Sequence, residues 1–312
     1  MAAPTVNTPA HGALVALARV IVVANDKGGV GKTTITANLG ALFAAAGYRV
    51  LLIDLNRQAN LADDLGYRDS DIDDQGAGFL MSLMTGKTLQ AVAVLGRPNL
   101  FVVPGGTALT DLTGVMVGRV QQQGRDAMLT LASILAPIAG EFDVVLIDTP
   151  PENTLLVDLA LGAGRWLLMP TKTDKGGLVG MQLLAQRYAI AREINPALAL
   201  LGVVLFATSR TATAIHRTVR SRVETAFGVG SSPVLTAKIG HSEKLANDAR
   251  EAGRVAHELE SDAANQPAWW ETLRAGAAPQ ARIAATAGNV AEDYRQLGAE
   301  ILQLLAAVES QS

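Results

Sequence analysis

The run Lys27-Gly28-Gly29-Val30-Gly31-Lys32-Thr33-Thr34 constrains this chain more than any other stretch. Ahead of it lies an apolar segment, Val20-Ile21-Val22-Val23-Ala24. Behind it, Ile35, Leu39, Leu42 and Phe43 fall on one helical face. Strand, glycine loop and helix in that order form the context in which such a loop closes around phosphate. Glycines let backbone N–H groups turn inward, and the helix N-terminus adds positive potential. Lys32 is placed to reach the β- and γ-phosphates of a nucleotide, and Thr33 to ligate Mg2+. A glycine-rich turn that binds nothing would leave the agreement of motif and context unexplained.

The rest of the chain repeats the pattern. Apolar runs at 20–24, 50–55, 100–104, 144–148, 166–170 and 200–207 alternate with helical patterns at 32–46, 125–138, 153–163, 176–193 and 213–227. Nearly continuous apolar strands between helices predict an α/β fold, a doubly wound, mostly parallel sheet covered on both faces. Its ligand site belongs at the carboxyl ends of the strands, where the glycine loop lies. Residues 1–18 read as a short N-terminal extension and 19–312 as one domain. Residues 261–290, rich in Ala, Pro, Gln and Gly, read as a surface connection, and 291–308 as a closing amphipathic helix. Trp269-Trp270 reads as pinning that connection to its own core. Six aspartates between Asp63 and Asp74 read as a solvated loop.

Composition removes several classes. The 312 residues contain no cysteine, which excludes disulfides, thiolate zinc sites and cysteine-held iron–sulfur clusters. We expect neither a signal peptide nor a membrane-spanning run. The net charge of −3 is unevenly distributed. Residues 205–255 hold eight Lys/Arg against four acids, whereas 256–312 hold three arginines against eight acids. A basic segment inside an acidic chain points to a local anion-binding surface.

Two more segments complete a nucleotide site. Val50-Leu51-Leu52-Ile53-Asp54 and Val144-Val145-Leu146-Ile147-Asp148 are apolar strands that end in a carboxylate. Aspartates in those positions can hold Mg2+, directly or through water, beside the phosphates.

Taken together, these motifs resemble the ParA family of partition ATPases, the deviant Walker A class of P-loop proteins. Lys-Gly-Gly-Val-Gly-Lys-Thr-Thr is that family's signature, and Asp148-Thr149-Pro150-Pro151 fits its Asp-x-Pro-Pro Walker B segment. Val102-Val103-Pro104-Gly105-Gly106, Leu168-Met169-Pro170 and His241-Ser242-Glu243 also resemble family segments. The resemblance implies an ATPase that uses ATP and Mg2+, cytoplasmic and nucleoid-associated. It implies an ATP-sandwiched homodimer in which Lys27 reaches the other subunit's nucleotide. It also implies non-specific double-stranded DNA binding, and release when a ParB-like partner stimulates hydrolysis. Nucleotide contacts would fall on Lys27, Gly28, Gly29, Val30, Gly31, Lys32, Thr33 and Thr34, metal contacts on Thr33, Asp54 and Asp148, and catalytic roles on Lys27, Lys32, Asp54, Asn56 and Asp148.

One departure bears on chemistry. Family members carry Asp-x-Asp-Pro-Gln-Gly-Asn where this chain has Asp54-Leu55-Asn56-Arg57-Gln58-Ala59-Asn60. The second aspartate, which would orient the attacking water, is Asn56. An amide can position water but cannot take its proton, so the expectation is slow hydrolysis. Asp26, where an ordinary Walker A motif has its first glycine, is given little weight. DNA contact is expected along the basic segment, at Arg210, Arg217, Arg220 and Arg250, driven by phosphates and sensitive to salt. An alternative reading is a nucleotide switch that positions a protein cargo or acts in conjugative transfer, with incidental hydrolysis. A membrane-directed relative of the Min type is disfavoured because the last helix carries Glu292, Asp293, Glu300 and Glu309 against Arg295 alone.

Overall fold

The computed structural model describes residues 16–151, 153–208, 213–227, 233–266 and 286–310. The elements in chain order are β1 (Val20–Val23), α1 (Lys32–Ala45), β2 (Val50–Asp54), α2 (Asn60–Leu65), α3 (Ala77–Thr85), β3 (Val92–Ala93) and β4 (Leu100–Val103). Then come α4 (Leu109–Gln123), a 3-10 turn (Gly124–Leu129), α5 (Thr130–Ala139), β5 (Val144–Asp148), α6 (Thr154–Ala163), β6 (Trp166–Thr171) and α7 (Lys175–Ile194). Last are β7 (Ala199–Thr208), α8 (Thr213–Phe227), β8 (Val234–Gly240), α9 (Glu243–Ala252), α10 (Ala256–Asn265) and α11 (Ala287–Glu309).

The strands form one sheet in the order β3-β4-β2-β5-β1-β6-β7-β8. All neighbours are parallel except the short antiparallel pair β3–β4. The unbroken apolar strands follow from burial on both faces. Side chains alternate across the sheet. Val20 and Val22, Leu51 and Ile53, and Val145 and Ile147 enter the core under α3 to α8. Ile21 and Val23, Val50 and Leu52, and Val144 and Leu146 enter the core under α1, α2 and α9 to α11.

The sequence-predicted strands and helices are present, with differences at the periphery. The helix expected over 125–138 begins as the 3-10 turn and becomes α-helical only at Thr130. Strand β8, not expected from the sequence, lacks a continuous apolar run because it is an edge strand, with Thr236 exposed and Lys238 half-buried. Helix α4 is likewise not expected from the sequence, because Gly114 and Gly118 interrupt its periodicity. Both ends of the stretch expected as a connection over 261–290 are helical: α10 runs through Asn265 and α11 starts at Ala287. Residues 267–285, including Trp269-Trp270, lie outside the described residues. The aspartate-rich stretch is not simply a solvated loop. Asp63 and Asp64 lie on α2, Asp64 is buried, and Asp74 accepts the backbone N–H groups of Gly76 and Gly78 ahead of and within α3.

The acidic closing helix has a structural role. Glu300 on α11 accepts the N–H groups of Thr236 and Ala237, each at 2.8 Å, and Asp293 accepts that of Gly240 at 2.8 Å. These carboxylates satisfy donors that an edge strand would otherwise offer to another chain. No helix among the described residues is long and apolar enough to cross a membrane.

Candidate nucleotide-binding site

Residues 24–31 leave β1 at the carboxyl edge of the sheet and turn directly into α1. Gly31 sits at φ +89°, and a Cβ there would come within 2.5 Å of the Phe206 ring. Gly29 is at φ +70°. Both positions favour glycine strongly, the first by contact as well as conformation. Lys32 opens α1 and is only 6% exposed. Its ammonium donates to the carbonyls of Asn25 and Lys27, both at 3.0 Å, and so folds back across the loop. Asn25, absent from the sequence-predicted site, braces the other side. Its Oδ1 accepts the Lys27 N–H at 2.9 Å, and its Nδ2 donates to the Pro170 carbonyl at 2.8 Å.

The two sequence-predicted aspartates meet at the next two strand ends. Asp54 and Asp148 are register partners on β2 and β5, and both are fully buried. Thr33 Oγ1 donates to Asp148 Oδ2 at 2.6 Å, and the Asn56 N–H donates to Asp54 Oδ1 at 2.8 Å. Asp54 Oδ2 and Asp148 Oδ1 are buried without a hydrogen-bond partner. Burial, and then the neighbouring Asp148, push Asp54 well above the usual carboxylate range. Burial also pushes Asp148 up to about 7, against the Thr33 hydrogen bond and the charge of Lys32. Orphaned, desolvated carboxylate oxygens beside a threonine hydroxyl suit a small hard cation. Among the described residues no group of three or more His, Cys, Asp or Glu gathers into a metal cage.

The sign of the carboxylate shift makes a prediction. A carboxyl whose folded pKa is raised binds its proton more tightly in the folded chain, so stability falls as pH rises from the unfolded value toward the folded one. Asp148→Asn keeps an acceptor for Thr33 and removes the buried charge. Without nucleotide or metal, it is expected to melt at least ~2 °C above the parent at pH 8, with the gain shrinking toward pH 5. Thermal unfolding at the two pH values checks this.

Asn56 is 4% exposed and lines a cleft of about 410 Å3 with Arg57, Gln58, Thr113, Pro151 and Asn153. Its Oδ1 accepts the Gln58 N–H at 3.0 Å, which turns the amide so that its NH2 group, a donor only, is the remaining polar end. Pro151 also borders the loop, since a Cβ on Gly28 would lie 3.7 Å from it. Gly105 packs onto the same carboxylate strand end: a Cβ there would sit 2.8 Å from Asp54 Cγ. The close approach explains a glycine that sequence alone marked only by resemblance.

The basic candidates are not gathered in the same way. Arg217 and Arg220 are exposed on α8, whose Val219 and Val223 pack on one face of the sheet. Arg250 lies on α9, whose Leu245 packs on the other face, and its Nε donates to Asp64 at 3.2 Å. Arg210 lies outside the described residues.

Comparison with known proteins agrees with this geometry. A family model described as an AAA domain matches residues 18–200. The chromosome-partitioning ATPase Soj of Treponema pallidum is 34% identical over 216 residues, covering 68% of this chain and 80% of the relative. The chromosome partitioning protein ParA of Myxococcus xanthus is 34% identical over 206 residues, covering 64% of this chain and 69% of the relative. Among solved structures, a Cyanothece McdA–ATP complex superposes with a TM-score of 0.62 at 21% identity, covering 85% of this chain and 98% of that one, a likeness of fold. With the signature loop, both strand-end aspartates and the parallel sheet in register, the chain belongs to the ParA family of P-loop partition ATPases.

Proposed function

We propose that this ATPase acts in DNA segregation through an ATP-sandwiched homodimer that binds DNA without sequence preference. The observation that carries the reading is the signature loop, with Lys32 folded into its own loop and Lys27 beside it. One lysine serves the nucleotide of its own subunit. The other is left to reach across to a second subunit.

Within one subunit, backbone N–H groups of residues 28–34 would hold the phosphates, with Lys32 against the outer two. Thr33, Asp148 and Asp54 would hold Mg2+, whose charge, when bound, offsets that on the phosphate oxygens. A pocket of about 160 Å3 beside Thr34, lined by Phe206, Ile239, Leu245 and Tyr294, suits the flat base. Asn56 would orient the attacking water by donating to it, which supports slow turnover in the absence of a partner. A ParB-like protein would then accelerate hydrolysis and release the dimer from the nucleoid.

DNA contact rests on the exposed Arg217 and Arg220 of α8, with Arg210 just ahead of it in the sequence. Arg250, which pairs with Asp64, would contribute only if that pair opens. The test is binding to unrelated double-stranded DNA with ATP–Mg2+, with ADP and with no nucleotide, across a salt series. Binding is expected only with ATP–Mg2+. Neutralising both Arg217 and Arg220 should weaken it and reduce the salt slope by about two phosphate contacts. Failure to bind in any nucleotide state would instead favour the cargo-positioning switch, the reading that the donor-only face of Asn56 otherwise supports.

A further inference from the structure

Asp26 immediately precedes Lys27, and its side chain is only 9% exposed. One oxygen, Oδ1, is buried without a hydrogen-bond partner, and the other accepts from Arg187 Nε at 3.2 Å. Arg187 lies on α7. Its Nη1 donates to both oxygens of Asp158 on α6, each at 3.1 Å. One guanidinium therefore bridges two carboxylates, one from the phosphate loop and one from a core helix. A glycine at position 26 would avoid the cost of burying a carboxylate. The ion pair gives the loop something a glycine cannot, a fixed link to α7.

The same stripe of α7 lies against Lys27. Residues 176, 180 and 187 follow one another at i, i+4 and i+11 and share a helical face. The first two are glycines. A Cβ on Gly180 would come within 2.4 Å of Asn25 Oδ1 and 2.8 Å of Lys27 Cβ, and one on Gly176 within 3.1 Å of Lys27 Cε. At both of these contacts α7 presents a glycine, so Lys27 lies directly on the helix backbone there. Two turns further on, the helix grips the residue before that lysine.

We propose that Arg187 is a positioning residue for Lys27: by holding Asp26 it makes the seating of α7 set where Lys27 points. This rests on the reading that Lys27 acts on a second subunit's nucleotide. Arg187 then governs formation of the ATP-dependent dimer, while nucleotide binding by one subunit, which uses Lys32, is left nearly intact.

The test compares Arg187→Ala, Arg187→Lys and Asp158→Asn in the full chain. Asp158→Asn weakens the ion-pair network but leaves the Asp26 contact. The first readout is hydrogen–deuterium exchange of residues 24–28 without nucleotide, which does not depend on dimer formation. The second is the split between ATP affinity of the monomer and ATP-dependent dimerisation. Arg187→Ala is expected to speed exchange at least tenfold, to change monomer affinity less than threefold, and to weaken the dimer at least tenfold. Arg187→Lys should recover part of both losses. Asp158→Asn should lower thermal stability while staying within twofold of the parent on exchange and dimerisation. Unchanged exchange in Arg187→Ala overturns the proposal. So does equal loosening by Asp158→Asn, which would make the network a general stabiliser. If the parent protein forms no dimer with ATP, the dimer reading falls, and the exchange arm still decides whether Arg187 fixes the loop.

Discussion

Replacing Lys32 by alanine is expected to weaken ATP binding by about a hundredfold or more, roughly 2.7 kcal/mol, while the chain still folds. The expectation follows from where the ammonium lies. Lys32 is buried at the first position of α1 and held by two loop carbonyls at 3.0 Å each. Little of its rotamer freedom remains to be lost when phosphate arrives, so most of the charge–phosphate attraction appears as affinity. Removing it also leaves the Asn25 and Lys27 carbonyls without that donor, which loosens the loop as well as discharging it. The fold survives because α1 is fixed by Ile35, Leu39 and Phe43, all fully or almost fully buried under the sheet. Calorimetric titration of ATP–Mg2+ into the variant, with a melting curve as the control for folding, checks both parts. Tight binding retained in a folded variant would overturn the assignment of the phosphate site.

The parts of the site that sequence made legible are those written in consecutive residues. The loop, its strand and its helix occupy one stretch, and each aspartate ends its own apolar strand. Backbone periodicity then brings Asp54 and Asp148 together, because two parallel strands in register align their ends. The parts that stayed hidden depend on side chains that meet across long separations. Asn25 reaches Pro170, Arg187 reaches Asp26, and Arg250 reaches Asp64, all between elements far apart in the chain. Nothing local marks an asparagine as a brace or an arginine as a bridge. The same holds for the acidic closing helix. Its charge was legible, but its task, satisfying the edge donors of β8, depends on a packing that periodicity does not encode. Edge strand β8 is hard to see in the sequence because its alternation is that of a partly exposed strand, unlike the continuous apolar runs of the doubly covered strands. Arg250 shows the converse risk. A basic residue in a basic segment reads as a DNA contact, yet Arg250 pairs with Asp64, on a helix far away in the chain.

Asn56→Asp is expected to raise partner-free ATP hydrolysis by at least about tenfold, with ATP affinity little changed. The backbone already suits a carboxylate at this position. Asn56 Oδ1 caps the Gln58 N–H at 3.0 Å, an interaction either oxygen of an aspartate can make. The second oxygen then replaces the amide NH2 at the cleft, so a donor becomes an acceptor that can take a proton from water. General-base assistance contributes about 10²–10⁴-fold where it operates fully. The lower figure expected here reflects that positioning of the water, often the larger task in phosphoryl transfer, is already served by the amide. The new carboxylate would join two buried aspartates whose proton affinity is already raised, so the nucleotide-free variant should also be less stable at pH 8 than at pH 6. Steady-state phosphate release, measured with and without DNA, checks the rate. An unchanged rate would mean that another group holds the water. An increased rate that leaves DNA release unaltered would separate turnover from segregation and bring the switch reading forward, because hydrolysis would then be incidental to the cycle.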